Sequence, residues 1–171
     1  MKKIILIIGI VMSFVLLVNN KEEYILIPNE AIRVRVIANS FDDYDVRVKE
    51  EVKNFLNKHV NNLIKDANNI NEVRDSINLN LENIHNFVDK TLKEIEYDNS
   101  YTINYGLNYF PEKIFKGVRY NSGLYESLVL VLGDGLGPNY WCVLYPPLCA
   151  IDNTEDIEYR IFLKDIVDKY F

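Results

Sequence analysis

Residues 140–149 constrain the fold of this chain more than any other stretch. They hold both cysteines, the only tryptophan and the only Pro-Pro pair. Cys142 and Cys149 are 7 positions apart, and a fully extended chain would separate them by roughly 23–25 Å. A disulfide requires Cα atoms about 5.5–6 Å apart. If the cysteines pair, the chain must therefore double back, and Pro146 and Pro147 lie between them, where it could turn. Chain entropy predicts that such a disulfide stabilises the fold by about 2.5 kcal/mol.

The N-terminus predicts export and so bears on whether the cysteines pair. Lys2 and Lys3 precede an uncharged, strongly apolar stretch at residues 4–18, the pattern of an export signal. As a helix this stretch rises about 22 Å, short of the ~30 Å hydrocarbon core of a membrane. No A-x-A-like site follows, so residues 1–20 are interpreted as a signal peptide or an uncleaved N-terminal anchor. Residues 21–171 are interpreted as a single extracytoplasmic domain, where a disulfide is favoured over two buried thiols.

The charge balance excludes some partner classes. The chain has 25 acidic and 19 basic residues, a net charge of −6, and no basic block. An acidic chain of this kind is a poor ligand for nucleic acid and is repelled by anionic lipid surfaces. Its 12 tyrosines and 8 phenylalanines suit a core first and an interface second.

The first half of the chain predicts one strand and two helices. Residues 32–38 alternate, with Ile32 and Val36 on one side and Arg33 and Arg35 on the other, which indicates a half-buried strand. Residues 43–66 and then 70–95 show helical spacing of apolar residues, the second over about 26 residues. The apolar positions of the second stretch are Ile70, Val73, Ile77, Leu81, Ile84, Val88, Leu92 and Ile95. We expect the two helices to pack as a helical hairpin, although the spacing also fits a coiled-coil seam.

The second half predicts strands followed by a short helix. Residues 101–110, 114–120, 124–132 and 139–145 are β-like runs separated by glycine and asparagine. Residues 155–171 have the spacing of a short amphipathic helix. The fold class is therefore α+β, with an N-terminal strand, a helical hairpin, an antiparallel β-meander and a short C-terminal helix.

A search for catalytic and ligand-binding motifs predicts no enzyme, no metal site and no cofactor. The glycine-rich residues 133–137 lead into a strand and not a helix, so a flexible hairpin loop is favoured over a phosphate-binding loop. His59 and His85 lack a second ligand at metal-site spacing, and Cys142 lacks a nearby histidine base in the sequence. A calcium site at residues 152–156 would lack the EF-hand spacing and its glycine.

Seven short stretches of the sequence resemble stage II sporulation protein R. Residues 140–149 match its W-C-V-L-(F/Y)-P-P-L-C block, which is the specific part, with Tyr140 where the family often has a second tryptophan. Residues 32–40 resemble its I-R-x-x-V-I-A-N-S strand, and residues 46–52 loosely resemble its L-K-x-x-V-R-D-x-V helix start. Residues 104–106, 109–111, 123–128 and 133–137 also match, so the resemblance covers roughly residues 30–152.

The resemblance implies a role that composition does not. Members of that family are made in the forespore and exported into the space between the forespore and mother-cell membranes. There they activate an integral membrane aspartic protease in the mother-cell membrane, which processes the early mother-cell sigma factor precursor. The chain would thus be a signalling ligand whose partner is this protease, without a nucleic-acid partner or a small-molecule substrate. The alternatives are an envelope-anchored structural or interaction domain, or a secreted hydrolase.

For such a ligand we expect the contact surface to lie on aromatic and proline residues, because Trp and Tyr are common interface anchors. The candidates are Tyr140, Trp141, Tyr145, Pro146 and Pro147, together with Tyr109 and Phe110. The competing interpretation is that Trp141 and Val143 are core residues and that the cysteine loop only fastens the last strand.

Overall fold

The computed structural model describes residues 25–26, 30–115, 118–149, 165–166 and 168–169. In chain order the elements are β1 Ile25–Leu26, β2 Ile32–Ile37, α1 Asp43–Ile64, α2 Ile70–Leu79, α3 Leu81–Glu94, β3 Tyr101–Phe110, β4 Lys113–Phe115, β5 Val118–Tyr120, β6 Gly123–Leu132 and β7 Asn139–Tyr145. This arrangement confirms the α+β class. The predicted export segment, the predicted C-terminal helix (apart from four residues) and the residues of the calcium alternative lie outside the described residues.

The long second helix of the sequence prediction is two helices. α2 ends at Leu79 and α3 begins at Leu81, with Asn80 at φ −111° and ψ 11° between them. The Asn80 side chain donates to the Ser76 carbonyl oxygen (2.8 Å), a local hydrogen bond of the kind that competes with helix continuation. Both helices nevertheless bury the predicted apolar stripe against α1 and the sheet, because the break does not change which side faces inward.

The main sheet is mixed, with the strand order β3-β6-β2-β7. Strand β2 comes early in the chain, but it lies between β6 and β7, which come late. It is parallel to β6 and antiparallel to β7. The strands therefore do not follow one another across the sheet as in a simple meander. A second, small sheet has the order β1-β5-β4.

The helices cover one face of the main sheet. Ile32, Val34 and Val36 of β2 and Leu128 and Leu130 of β6 are fully buried there with the inner faces of the helices. A polar contact fastens α2 to this face: Glu126 of β6 accepts from Tyr105 (2.7 Å) and from Arg74 of α2 (2.7 Å). Burial, followed by the hydrogen bond to Glu126, raises the pKa of the Tyr105 hydroxyl.

The opposite face of β2 is not the solvated face that the sequence predicted. Arg33, on this face, is only 2% exposed, and the rings of Phe110, Tyr120 and Tyr125 surround its guanidinium group. Alternation places Arg33 on the correct side, but it does not show that aromatic residues from three later strands would cover it. The prediction of a half-buried strand was therefore wrong at Arg33.

The glycine-rich loop between β6 and β7 is not a flexible hairpin, because β2 separates the two strands that it joins. The loop passes over the end of β2 and is hydrogen-bonded to it. Leu136 donates from its backbone N–H to the Asn39 carbonyl (2.9 Å), and Gly137 donates to Ala38 (2.9 Å). A Cβ on Gly137 would collide with the Ser40 backbone, and Gly133 has a φ of +52°, so both positions suit glycine.

Candidate binding site: an aromatic cavity beside the disulfide

A cavity of about 230 Å³ lies on the face of the main sheet away from the helices. Residues of β2, β3, β4, β5 and β7 and of the disulfide loop line it. The walls are mostly aromatic and aliphatic, and Arg33 and Lys113 are the cationic residues among those lining it. We call this feature the Arg33 cavity.

Arg33 is the most unusual residue of the cavity. Its guanidinium carbon lies 3.4 Å from the centroid of the Tyr125 ring, and Phe110 and Tyr120 lie 5.3 and 5.8 Å away. Its Nε and Nη2 are buried and have no hydrogen-bond partner among the described residues. Desolvation by burial lowers the pKa of Arg33, and the Tyr125 and Tyr120 side chains oppose this only in part. An arginine nevertheless stays protonated in a protein, so the cavity holds a buried positive charge.

Trp141 forms another part of the wall. Its ring meets Phe110 edge-on at 5.5 Å, and the cations of Lys113 and Arg35 lie 5.1 and 5.6 Å from its centroid. The indole Nε1 is buried and has no hydrogen-bond partner among the described residues. The cavity is therefore lined by two residues with buried, unsatisfied donors, Arg33 and Trp141.

The disulfide that the sequence favoured is present. Cys142 and Cys149 are bonded, with their Cα atoms 5.6 Å apart. The chain doubles back between them as predicted, and the Leu148 N–H closes the turn on the Val143 carbonyl (3.1 Å). Cys142, Val143 and Leu148 also line the Arg33 cavity. The covalent loop thus holds one wall of the cavity against the end of β7.

The seven residues predicted to contact a partner are spread over different environments. Trp141 is half-buried at the cavity, and Tyr140 is half-buried on the helix side, where Asn57 donates to its hydroxyl (2.8 Å). Phe110 is fully buried, Tyr145 is 8% exposed and Pro146 is buried. Pro147 is exposed and Tyr109 is 60% exposed. A partner role for these residues remains a prediction; in the free chain Trp141, Pro147 and Tyr109 offer accessible surface.

Tyr109 belongs to an exposed apolar patch where β3 and β6 extend together. It pairs with Leu124 across the strands, and Leu107 lies two residues before it on β3. Their exposed fractions are 60%, 63% and 71%, respectively. This patch lies on the helix face of the sheet, whereas the Arg33 cavity lies on the other face.

Both histidines pack against aromatic rings. The His59 ring packs against Phe55 and Phe87, with centroids at 5.6 and 3.6 Å, and burial lowers the pKa of His59. His85 lies beside Tyr101, whose hydroxyl donates to Asp89 (2.7 Å). In the part of the chain that the structure describes, no group of three or more His, Cys, Asp or Glu residues is placed to hold a metal ion. No helix among the same residues is long and apolar enough to cross a membrane.

Sequence reasoning missed Arg33 as a site residue. The signal that was available is the pairing of an arginine in a β-strand with an unusually aromatic second half of the chain, since buried arginines commonly stack on aromatic rings. Periodicity alone could not identify which aromatic residues would reach it, because they come from three different strands.

Comparison with known proteins agrees with the resemblance seen in the sequence. A profile of the family Stage II sporulation protein R matches residues 28–155. The Stage II sporulation protein R of Bacillus subtilis (strain 168) is 34% identical over 133 residues, which are 78% of this chain and 59% of that protein. No solved structure is significantly similar to the chain. On the extent of the profile match, the chain belongs to the stage II sporulation protein R family.

Proposed function

We propose that this chain is an exported signalling ligand that activates an integral membrane aspartic protease from its extracytoplasmic side. The protease would then process the precursor of the early mother-cell sigma factor. Family membership supports a role in sporulation. The intermembrane location and the protease partner follow from the resemblance and are part of the proposal.

The observation that carries the proposal is where the family-like stretches meet. Residues 32–40 contribute Arg33, and residues 140–149 contribute Trp141, Cys142, Val143 and Leu148, all to the same cavity. These two stretches are far apart in sequence, and β2 and β7 bring them together by pairing. Packing within the chain does not require a partly open cavity lined by unsatisfied donors. A surface that binds another protein can use those donors, and this supports the proposal.

Activation by a ligand requires a difference in affinity. The chain would bind the active arrangement of the protease more tightly than the inactive one, and so shift the equilibrium between them. A shift from about 1:99 to 99:1 needs roughly a 10⁴-fold difference in affinity. Aromatic anchors such as Trp141 are side chains that can supply a large share of such a difference.

Reconstitution tests the proposal. The protease and its sigma precursor are expressed in a non-sporulating bacterium, with and without this chain, and the precursor is followed by immunoblot. We expect cleavage only when the chain is present and carries residues 1–20. If cleavage does not increase although the chain is folded and exported and the protease responds to its own ligand, the proposal is wrong. The envelope-anchored domain would then be the leading alternative.

Two surface variants, compared in the same cleavage assay, test which side of the chain the protease contacts. Trp141→Ala removes the cavity wall, and Tyr109→Ala removes part of the apolar patch on the other face. Leu79→Ala is the matched control, because Leu79 is 82% exposed at the end of α2 and is neither a lining residue of the cavity nor a member of the patch. We expect reduced cleavage with Trp141→Ala, in a protein with an unchanged circular dichroism spectrum, and full cleavage with Leu79→Ala. A Trp141→Ala chain that does not fold would instead support the core interpretation of Trp141.

A further inference from the structure

Arg33 has no anionic partner among the residues that the structure describes. Among the described residues no carboxylate forms an ion pair with it, and two of its nitrogens lack any acceptor. The surrounding rings attract the cation through their faces, but they do not accept the hydrogen bonds that its in-plane N–H groups direct outward. A buried charge of this kind is normally paired, because its desolvation is otherwise not repaid.

Nearby groups favour the same kind of ligand. Lys113, which is exposed, places its ammonium group 5.1 Å from the Trp141 ring and 5.4 Å from the Phe115 ring, at the same cavity. Trp141 adds a buried indole donor without an acceptor. Two cations and an unsatisfied neutral donor therefore line one cavity, although the chain as a whole is acidic. This local charge complements an anion that accepts hydrogen bonds.

The size and the walls of the cavity narrow the choice of anion. At about 230 Å³ it is smaller than the roughly 300–1,000 Å³ of sites for whole small-molecule ligands, and it suits one or two side chains. The flat arginine fork matches a carboxylate through two parallel hydrogen bonds. The aromatic and aliphatic walls suit an apolar group attached next to that carboxylate.

We propose that the Arg33 cavity binds the carboxylate of an acidic side chain that is flanked by apolar residues on a segment of a partner protein. The proposal rests on the proposed function in one respect: the partner would be the extracytoplasmic part of the protease. The binding site itself is a property of this chain alone and can be tested without the protease.

The direct test uses synthetic peptides and the fluorescence of Trp141, the single tryptophan of the chain. The full chain is expressed for export in an oxidising compartment and purified. The probe is a capped peptide pool with glutamate at the centre and varied apolar residues around it, and the matched pool has glutamine at the centre. We expect the glutamate pool to change Trp141 emission, and the glutamine pool to bind at least about tenfold more weakly.

Further probes separate other sources of an anion. An apolar peptide with a free C-terminal carboxylate, and inorganic phosphate, are titrated in the same way. Equal binding of the glutamate and glutamine pools would overturn the proposal. So would no binding of any pool member at millimolar concentration. Tighter binding of the free C-terminus or of phosphate would assign the cavity to that ligand instead.

Variants of Arg33 separate binding from folding. Arg33→Met keeps an unbranched apolar stem but removes the guanidinium group and its charge, and Arg47→Met, at an exposed position of α1, is the matched control. Because no described carboxylate forms an ion pair with Arg33, we expect Arg33→Met to keep or raise the urea midpoint and to weaken glutamate-pool binding by at least about tenfold. Arg47→Met should change neither. Lower stability with unchanged binding would assign Arg33 a structural role only.

The reconstitution assay then links the site to signalling. If the wild-type chain triggers cleavage and Arg33→Met triggers it equally well, the carboxylate site is wrong while the proposed function stands. If the wild-type chain triggers no cleavage but binds the glutamate pool through Arg33, the proposed function is wrong while the site stands. If Arg33→Met folds but neither binds the glutamate pool nor triggers cleavage, the result supports both the carboxylate site and the proposed function.

Discussion

Gly137 provides the sharpest test of how the glycine-rich loop is held. A Cβ at this position would run into the Ser40 carbonyl oxygen, 2.7 Å from the Ser40 carbonyl carbon and 2.8 Å from the Ala38 Cβ. Ordinary contacts of this kind begin at about 3.4 Å, so the loop or the end of β2 must move by roughly 0.7 Å or more. No side-chain rotation can relieve the collision, because Ser40 meets the Cβ with its backbone.

The required movement sets the size of the effect. It would weaken the hydrogen bonds from Gly137 to Ala38 and from Leu136 to Asn39, both 2.9 Å long. Each contributes about 1 kcal/mol net, and more when a buried group is left without a partner. We therefore expect Gly137→Ala to lower the free energy of unfolding by about 2–4 kcal/mol. For a chain of this size, the middle of that range lowers Tm by roughly 6–12 °C.

Gly106 is the matched control, because it lies in β3 and its nearest neighbour to a new Cβ is 3.6 Å away. Gly106→Ala should be neutral, or stabilising by up to about 1 kcal/mol through the unfolded state. Urea unfolding followed by Trp141 fluorescence, with thermal unfolding by circular dichroism, measures both variants. If Gly137→Ala and Gly106→Ala agree within about 0.5 kcal/mol, the loop is not packed against the end of β2 and the reasoning is refuted.

Three further predictions concern stability. Replacing Cys142 and Cys149 by serine should lower the free energy of unfolding by about 2.5 kcal/mol in urea, and reductant should then have no further effect; an unchanged midpoint would contradict this. Asn69→Ala removes the side chain that caps α2 by accepting from the N–H groups of Asn71 and Glu72, and should cost about 1 kcal/mol in thermal unfolding. The pKa of Tyr105 is raised in the folded chain, so the hydroxyl stabilises the fold below about pH 10 and loses this contribution as the pH rises further. Tyr105→Phe should therefore reduce the fall of the urea midpoint at high pH. An unchanged pH dependence in Tyr105→Phe would contradict this prediction.

The elements of the fold could be predicted from sequence because each rests on local periodicity. The apolar stripes of the helices and the alternation in β2 depend on neighbouring residues only, and these stripes are buried as expected. The break at Asn80 was missed because one polar residue does not interrupt a stripe of apolar residues. The position of β2 between β6 and β7 was missed because strand order depends on contacts across the whole chain.

The candidate site was predicted only in part, for the same physical reason. The disulfide could be predicted because its two cysteines are close in sequence and the predicted export signal favours pairing. Trp141 was singled out by its rarity. Arg33 was not predicted, because its burial depends on Phe110, Tyr120 and Tyr125. These three residues lie on three separate strands that are distant from Arg33 in sequence.

The central place of β2 in the sheet also determines when this chain can fold. Arg35 of β2 hydrogen-bonds Asn139 of β7 (3.0 Å), 104 positions away. Since a ribosome makes β2 first and β7 late, the sheet cannot be completed on a growing chain, and such long-range pairing is slow to form. A chain that stays unfolded during synthesis would be suited to the export that we propose for it. Trp141 can line the cavity beside Arg33 only after β7 has paired with β2. An N-terminal fragment that ends before β7 therefore lacks the complete cavity.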